Sequence, residues 1–371
     1  MDGLSKIISG LASIFRDPTA CLKPDVKDSP QDNQNSTKEN KANAKDSHKY
    51  VDGDASSTAF TAAKPPLPTT QLVQKLSSSP GFVSIKPFNT GRMVTPAATL
   101  VGDAQGLSMG TSWRFFIQHE PSGTKLWFDM GISHDLSQYI PHIQALHQHF
   151  KAVPSEHSIV QDTESLGVFP GDVKHIIVSH AHWDHLGPMP AEFSAADMIV
   201  GPGSKAKCAP GWPADEHSKF DGRIWDATLR SHGLIELPPT STDSDSTYWQ
   251  PLGPFPHAHD FFGDGSLYLI DAPGHMEGNI AALCRVQMRE TKKSKWVMLG
   301  GDCAHCNMFT YWPLAPFGKM PKAFFPSGTL HCDAYEARET IKKIALCKEQ
   351  EGNDLLVWYA HAEFLEGAWE L

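Results

Sequence analysis

Val178-Ser179-His180-Ala181-His182-Trp183-Asp184-His185-Leu186-Gly187 is the stretch on which the fold turns. It places four side chains with metal-binding donors within six positions, directly after the run Lys174 to Val178, which reads as a strand. Loops at the ends of strands are held by a rigid scaffold, and reactive groups concentrate there. His180 and His182 can reach one ion from alternate positions, while Asp184 and His185 project in a different direction, as a second ion requires. Imidazole nitrogen and carboxylate oxygen suit zinc, and they also suit Mn, Fe or Co. A lone histidine is usually a surface or satisfied core residue; four such donors in six positions are not explained that way.

Outward from this string, short β-rich runs alternate with fewer helical patterns. Strands are expected at Trp113–Gln118, Lys125–Phe128, His175–Val178, Asp197–Val200, Leu267–Ile270, Ile280–Val286, Trp296–Leu299 and Leu355–Tyr359. Each is rich in β-branched or aromatic residues and has a turn residue nearby. Helices are expected at Ser137–Lys151 and Cys332–Glu351, with Ala334, Ala337, Ile341, Ile344 and Ala345 marking one face of the second. Many strands with a few long helices indicate an α+β design of stacked sheets covered by helices. His142, His147 and His149 fall on the first helix at a spacing that aligns no common ligand face.

The His-x-His-x-Asp-His string closely resembles the signature of the metallo-β-lactamase superfamily. That resemblance implies an αβ/βα sandwich, two packed mixed β-sheets flanked by helices, and it directs the search for further ligands in chain order. Asp271-Ala-Pro-Gly274-His275 looks like the family's glycine–histidine motif, and Leu299-Gly-Gly-Asp302 resembles the motif that supplies a bridging carboxylate. Tyr359-Ala-His361 matches the terminal histidine ligand. Leu126-Trp-Phe-Asp129-Met-Gly131 looks like an early strand-to-turn motif, whose aspartate supports the site from behind; Asp129 could equally be a simple turn residue. By this likeness His180, His182 and His275 would hold one metal, and Asp184, His185 and His361 a second, with Asp302 shared. Two zinc ions per chain are therefore the expected cofactors. The resemblance covers roughly Val83 to Leu371, which makes 1–80 an expected tail and 81–371 the expected hydrolase domain.

What the resemblance implies chemically is hydrolysis of a lactone, lactam or thioester. Metal coordination brings the pKa of water from near 15.7 to about 7, and a second ion polarises the carbonyl. A hydroxide shared by the metals attacks, and Asp184 takes the proton and passes it to the leaving group. The motifs look most like the branch containing N-acyl-homoserine-lactone lactonases and their fungal relatives, which open small cyclic esters or amides, including plant defence lactams such as benzoxazolinones. Those lactonases often carry a tyrosine three residues beyond the bridging aspartate, where this chain has His305, in Asp302-Cys-Ala-His305-Cys306. An imidazole there could polarise a carbonyl or protonate a leaving group, and the departure counts against acyl-homoserine lactones specifically. A thioesterase resembling glyoxalase II or the polyketide-releasing hydrolases of fungi shares every ligand, and so does a non-catalytic ligand sensor on the same fold. Asp184, His185 and His361 speak against a one-iron persulfide dioxygenase, and His182 stands where a flavodiiron protein would have an acid. Trp183, Met189, Phe193, Phe309, Tyr311, Trp312 and Phe317 are candidates for an apolar pocket, although most are expected in ordinary core.

Bulk properties bound the partners. The chain has 371 residues, 40% of them apolar, with ten tryptophans and nineteen phenylalanines, enough for a sizeable core. A net charge of -10 without a cluster of Lys and Arg argues against nucleic acid, because phosphate binding relies on clustered cations. A small molecule is the expected partner. No apolar run approaches the roughly 18 residues of a membrane span. Seven irregularly spaced cysteines fit a reducing, cytoplasmic setting better than a disulfide framework. Cys303 and Cys306 are read as packing around the site rather than as a redox pair. Leu4, Ile7, Ile8, Leu11, Ile14 and Phe15 recur at helical intervals and form an expected amphipathic helix, either docked on the domain or lying loose, with a membrane-surface or organelle-targeting helix as the alternative. The polar stretch from Asp17 to about Lys64 has too little to bury and is expected to be disordered, and Pro238–Thr247 is an expected exposed loop.

Overall fold

The computed structural model describes residues 76, 80–240, 247–323 and 325–362. The expected N-terminal helix, the polar stretch before residue 65 and the middle of the 238–247 insert lie outside them. The first sheet comprises β1 (Val83–Pro96), β2 (Leu107–His119), β3 (Lys125–Phe128), β4 (Val153–Pro154), β5 (Val173–Ile177), β6 (Asp197–Val200) and β7 (Gly233–Glu236), in the order β4-β1-β2-β3-β5-β6-β7. The second comprises β8 (Gln250–Leu252), β9 (Phe255–Asp260), β10 (Leu267–Asp271), β11 (Ile280–Gln287), β12 (Ser294–Gly301) and β13 (Leu355–Tyr359), in the order β13-β12-β11-β10-β9-β8. Both are mixed. Among the described residues, no helix is long and apolar enough to cross a membrane.

Side-chain alternation builds three layers of core from these two sheets. Trp113, Phe115, Ile117, Leu126, Phe128 and Ile177 point inward from the first sheet, and meet Leu269, Ala282, Cys284, Val297, Leu299 and Trp358 from the second. The residues between them face outward: Phe116, Trp127, Ile176 and Met198 pack on Phe193, Ile224 and Trp225. On the far side, Leu283, Met298 and Val357 pack on Ile341, Ile344 and Cys347 of the helix Ala334–Glu351. Strands buried on both faces read as continuous apolar runs, which is why they were legible. Truncating a buried isoleucine such as Ile341 to alanine costs about 2–5 kcal/mol.

The short strands β4, β7, β8 and β9 were not expected, and three further departures have a clear physical reason. β1 was not foreseen, because Pro87 and Gly91 interrupt any alternation; its long antiparallel pairing with β2, bulged between Asn89 and Gly91, overrides the local preference. The helix expected from Ser137 starts at Pro141, after a short 3-10 turn Leu136–Gln138. Proline lacks an N–H and is tolerated in the first helical turn but not further in. The helix expected from Cys332 starts at Ala334, because the Asp333 carboxylate accepts from the Tyr335 and Glu336 N–H groups, both at 3.0 Å.

Strand direction then determines where the loops gather. β3 runs parallel to β5, and β12 parallel to β13. β10 and β12 each run antiparallel to β11, so they share a direction. The Ile280 N–H donates to Ser179 O at 2.8 Å, which ties the turn beyond β10 to the end of β5. The carboxyl ends of β3, β5, β10, β12 and β13 thus deliver Asp129, the 179–185 loop, His275, Asp302 and His361 to one edge. Gly274 makes the turn into His275 possible: its φ is +120°, and a Cβ there would lie 2.0 Å from the Ala337 nitrogen at the start of the long helix.

Asp271, at the end of β10, carries a testable cost. Burial pushes its pKa up to about 6, Glu277 and Glu336 add to this, and Lys343 opposes it. An unfolded aspartate titrates near 3.9, so between about pH 4 and pH 6 the folded chain holds more protons and loses stability as pH rises. Asp271→Asn should therefore raise stability at pH 8 by on the order of 2 kcal/mol and have little effect at pH 4. Urea titrations at the two pH values check this; equal effects at both would remove burial of the charge as the cause.

Candidate metal centre

The 179–185 loop is held by its own backbone before any side chain is considered. Its carbonyls at Ser179, His182, Trp183, Asp184 and His185 accept, respectively, from Ile280 N–H, His185 N–H, Tyr139 O–H, Ser112 O–H and Met130 N–H. Met130 in turn gives its carbonyl to Arg114 at 3.2 Å, and Arg114 is buried in an ion pair with Asp162. The loop's side chains are thereby free to face the edge rather than satisfy backbone.

There they fall into two groups. His180, His182, His275 and Asp302 converge, and beside them Asp184, His185 and His361 converge. In the first group His182 Nδ1 lies 2.9 Å from His180 Nε2 and 3.0 Å from His275 Nε2. Asp302 spans both: Oδ2 is 3.5 Å from His275 Nε2 and 3.8 Å from His180 Nε2, while Oδ1 is 3.3 Å from His185 Nε2 and 3.1 Å from His361 Nε2. Asp184 Oδ2 closes the second group, 3.4 Å from His361 Nε2 and 3.7 Å from His185 Nε2. Every residue proposed from sequence as a ligand is thus within one constellation.

The residues present fit divalent cations. His185 Nε2 and Asp302 Oδ1 are buried without a hydrogen-bond partner although each faces other donor atoms. Donor atoms aimed at a common space, once free of protons, are what a cation satisfies. Outer contacts fix which ring nitrogen faces inward. Asp129 Oδ2 binds His185 Nδ1 at 2.8 Å, and the Thr111 carbonyl accepts from His361 Nδ1 at 2.7 Å. Asp129 also accepts from the Ser179 N–H at 2.6 Å and the Ser179 hydroxyl at 2.9 Å. Both alternatives for Asp129 are therefore true: it makes a left-handed turn, φ 60°, and it orients a histidine.

Electrostatics divides the histidines. Burial, reinforced by neighbouring imidazoles, pushes His180 and His275 well below the ordinary value, and burial brings His182 down to about 4. These rings are neutral, the state that binds a metal. At His361 burial opposes the charge, yet Asp302 outweighs it and pushes the pKa up to about 9. His185 is likewise raised, against burial, by Asp302, Asp129 and Asp184. Asp302 is held well below the carboxylate range despite burial, by His361 and His185.

A chamber of about 320 Å³ opens over the constellation. His305 and His331 stand in its wall, with His305 Nε2 3.3 Å from Asp302 Oδ2 and the two rings 4.9 Å apart. Ser179 and His331 escaped the sequence reading. Ser179 sits inside the decisive string but is not itself a ligand type, and His331 just precedes a helix, with no motif around it. Of the seven aromatic and methionine candidates for the pocket, Trp183 lines the chamber; Phe193 and Phe309 are core, and Tyr311 and Trp312 are exposed. Met93, Leu100, Phe150, Met320 and Phe325 take their place in the lining. Cys303 is buried in the core beside Asp302, and both Cys303 and Cys306 are free thiols.

A mixed two-sheet sandwich with paired His/Asp groups at one edge defines a class of metal-centred folds. Residues 154–282 match the metallo-beta-lactamase superfamily model, a stretch that includes the 180–185 string and His275, and the chain carries a metallo-beta-lactamase domain. It is 32% identical to the gamma-lactamase FDB1 of Fusarium pseudograminearum over 60% of this chain and 52% of that protein. It is 34% identical to the metallo-hydrolase mfmC of Annulohypoxylon moriforme over 48% of this chain and 44% of that one. The gamma-lactamase MBL2 of Gibberella moniliformis is 35% identical over 40% of this chain and 57% of its own length. The chain thus spans about half the length of the curated relatives it matches. A probable metal-dependent hydrolase from Staphylococcus aureus shares the fold with a TM-score of 0.51 at 15% identity, covering 78% of this chain and 91% of that one.

Two outcomes follow from the site. Asp129→Ala should weaken metal binding about 10- to 100-fold, the usual effect of removing a partner that orients a ligand; competition against a calibrated chelator measures it. Because His361 is protonated below about pH 9, zinc must displace that proton. Adding zinc to metal-free protein at pH 7 should release protons, and apparent affinity should climb as pH rises toward 9. Calorimetry in two buffers of different ionisation enthalpy reads the release directly, and identical heats in both would exclude it.

Proposed function

We propose that this protein is a hydrolase of small cyclic esters or amides, a lactonase or lactamase that works with two divalent ions, zinc foremost. The observation that carries it is the division of one buried carboxylate, Asp302, between two donor groups on the floor of an apolar chamber. His180, His182 and His275 would hold one ion and Asp184, His185 and His361 the other, with Asp302 common to both. Bound there, the ions supply a nucleophile from water near neutral pH and polarise the substrate's carbonyl oxygen.

The protein's own groups do the rest. Asp184 is buried beside His361 and His185, close enough to the reacting centre to accept the proton of the attacking water and return it to the leaving oxygen or nitrogen. His305, with its Nε2 toward Asp302, stands where it can hydrogen-bond the substrate carbonyl or the departing group. Two relatives bear the name gamma-lactamase, and N-acyl homoserine lactonase AttM of Agrobacterium fabrum is 27% identical over 42% of this chain. These names support ring opening over cleavage of an acyclic thioester.

The test offers zinc-loaded protein a γ-lactone, a γ-lactam and an acyclic thioester in parallel. Ring opening that stops on chelation and returns with zinc is expected, with close to two ions per chain by metal analysis. Faster cleavage of the thioester would move the protein to the thioesterase class, and inertness toward all three would leave a ligand sensor. His182→Ala should abolish turnover, and Asp184→Asn should lower it by at least about a hundredfold. Both should fold, because neither residue belongs to the three core layers.

A further inference from the structure

Ring opening leaves one imidazole of the chamber without a role. His331 is only 2% exposed, yet it lines the chamber, and its Nδ1 is buried with no hydrogen-bond partner. It stands outside both groups of converging donors, so a cation at the constellation does not account for it. Its nearest ring neighbours are Phe317 at 4.7 Å between centroids, His305 at 4.9 Å and His275 at 5.4 Å. Backbone contacts fix its place. The Ser327 and Thr329 hydroxyls donate to its carbonyl at 2.5 and 3.2 Å, and its N–H donates to Thr329 Oγ1 at 3.1 Å. Directly after it, the Cys332 and Asp333 N–H groups donate to the carbonyls of His275 and Gly274, both at 2.9 Å. His331 is thereby tied to the turn that presents His275. The ring it rests on is held as well: the Arg338 guanidinium lies 3.8 Å from the centre of Phe317 and donates to the Ala315 carbonyl at 2.7 Å.

We propose that His331 is a substrate-binding residue, and that it pairs with a hydroxyl carried by the substrate on the carbon next to the ring carbonyl. This rests on the ring-opening reading above, which places the carbonyl beside His305. A buried polar group without a partner is unfavourable, and a rigidly held one cannot turn away to find a partner elsewhere. A guest that supplies the missing hydrogen bond is therefore favoured over one of equal shape that does not. A neutral imidazole presents one N–H and one lone pair, and a hydroxyl, which both donates and accepts, serves it in either tautomer. Two imidazoles 4.9 Å apart are close enough to hold heteroatoms on neighbouring carbons, one at His305 and the other at His331. His331 sets which ring is chosen, while the bond is cleaved by the groups around Asp302.

Binding and cleavage are tested with different molecules so that their failures stay apart. Opening of γ-phenyl-γ-butyrolactone by the zinc-loaded full chain tests the hydrolase assignment. His331 is tested by titration calorimetry with the corresponding phenyltetrahydrofuran, which cannot be opened, carrying either hydrogen or a hydroxyl at the position equivalent to the carbon next to the carbonyl. The hydroxyl compound should bind on the order of tenfold more tightly, as expected for one buried hydrogen bond. That preference should disappear in His331→Phe, which keeps a ring against Phe317 but has no polar atom, and return in His331→Gln, which can again donate and accept. Equal or undetectable binding of the two ethers to the unsubstituted protein overturns the proposal. So does a preference that survives His331→Phe, because the metals or His305 would then hold the hydroxyl. A preference lost in both variants assigns His331 to packing alone and overturns it too.

Discussion

Asp302 is a carboxylate buried between imidazoles, and burying it is unfavourable unless something satisfies the lone pairs that face one another across the site. Five histidines and two aspartates meet at this edge. Desolvation drives three of the histidines neutral, while the carboxylates hold protons on the other two. A constellation so divided is half prepared: one group offers lone pairs outright, and the other offers them after losing protons. A dication beside Asp302 would replace those protons and keep the carboxylate paired. Much of the surrounding structure holds these atoms in register against their own repulsion.

That holding is done mainly by backbone. Four carbonyls of the 179–185 loop have donors from four other segments and a fifth is bonded within the loop, and Thr111 and Asp129 aim the inner histidines through their outer nitrogens. Ser112, Ile280 and Met130 belong to a strand or follow one closely, so the rigidity of the sandwich passes to the loop, and Tyr139 adds an anchor from the turn ahead of the helix Pro141–Phe150. A side chain anchored in this way loses little rotamer freedom on binding an ion, because that entropy was given up on folding. Preorganisation of this kind also explains Gly274, where any side chain would push the long helix away from the turn that presents His275.

Legibility in the sequence follows the same division. Strands buried on both faces are continuous apolar runs, and each candidate ligand follows one, so all eight expected strands form and the seven residues expected as ligands converge. β1 was hidden because a long partner strand, not its own alternation, makes it extended. Ser179 was hidden because its contribution is a hydrogen bond to Asp129, and a serine gives no sign of that in a string read for metal donors. His331 was hidden because only tertiary packing brings it to His305. The pocket was the least legible part. Phe309, Tyr311 and Trp312 follow Asp302 closely in sequence but do not line the chamber, whereas Met93 and Phe325, far away in sequence, do.

The last contrast separates reaction from selectivity. The clustered histidines and aspartates after the strands are constrained by the sandwich, so a chain with these strands has little freedom in where they sit. The chamber wall comes from the β1–β2 end, the helix Pro141–Phe150 and the segments around 207–220 and 320–332, which are joined to the sheets by loops and carry no ligand. Substitutions there alter shape and charge without disturbing Asp302 or its neighbours. The shape of the chamber is therefore set by the parts of the chain least bound to the fold, apart from the histidine and aspartate cluster on its floor.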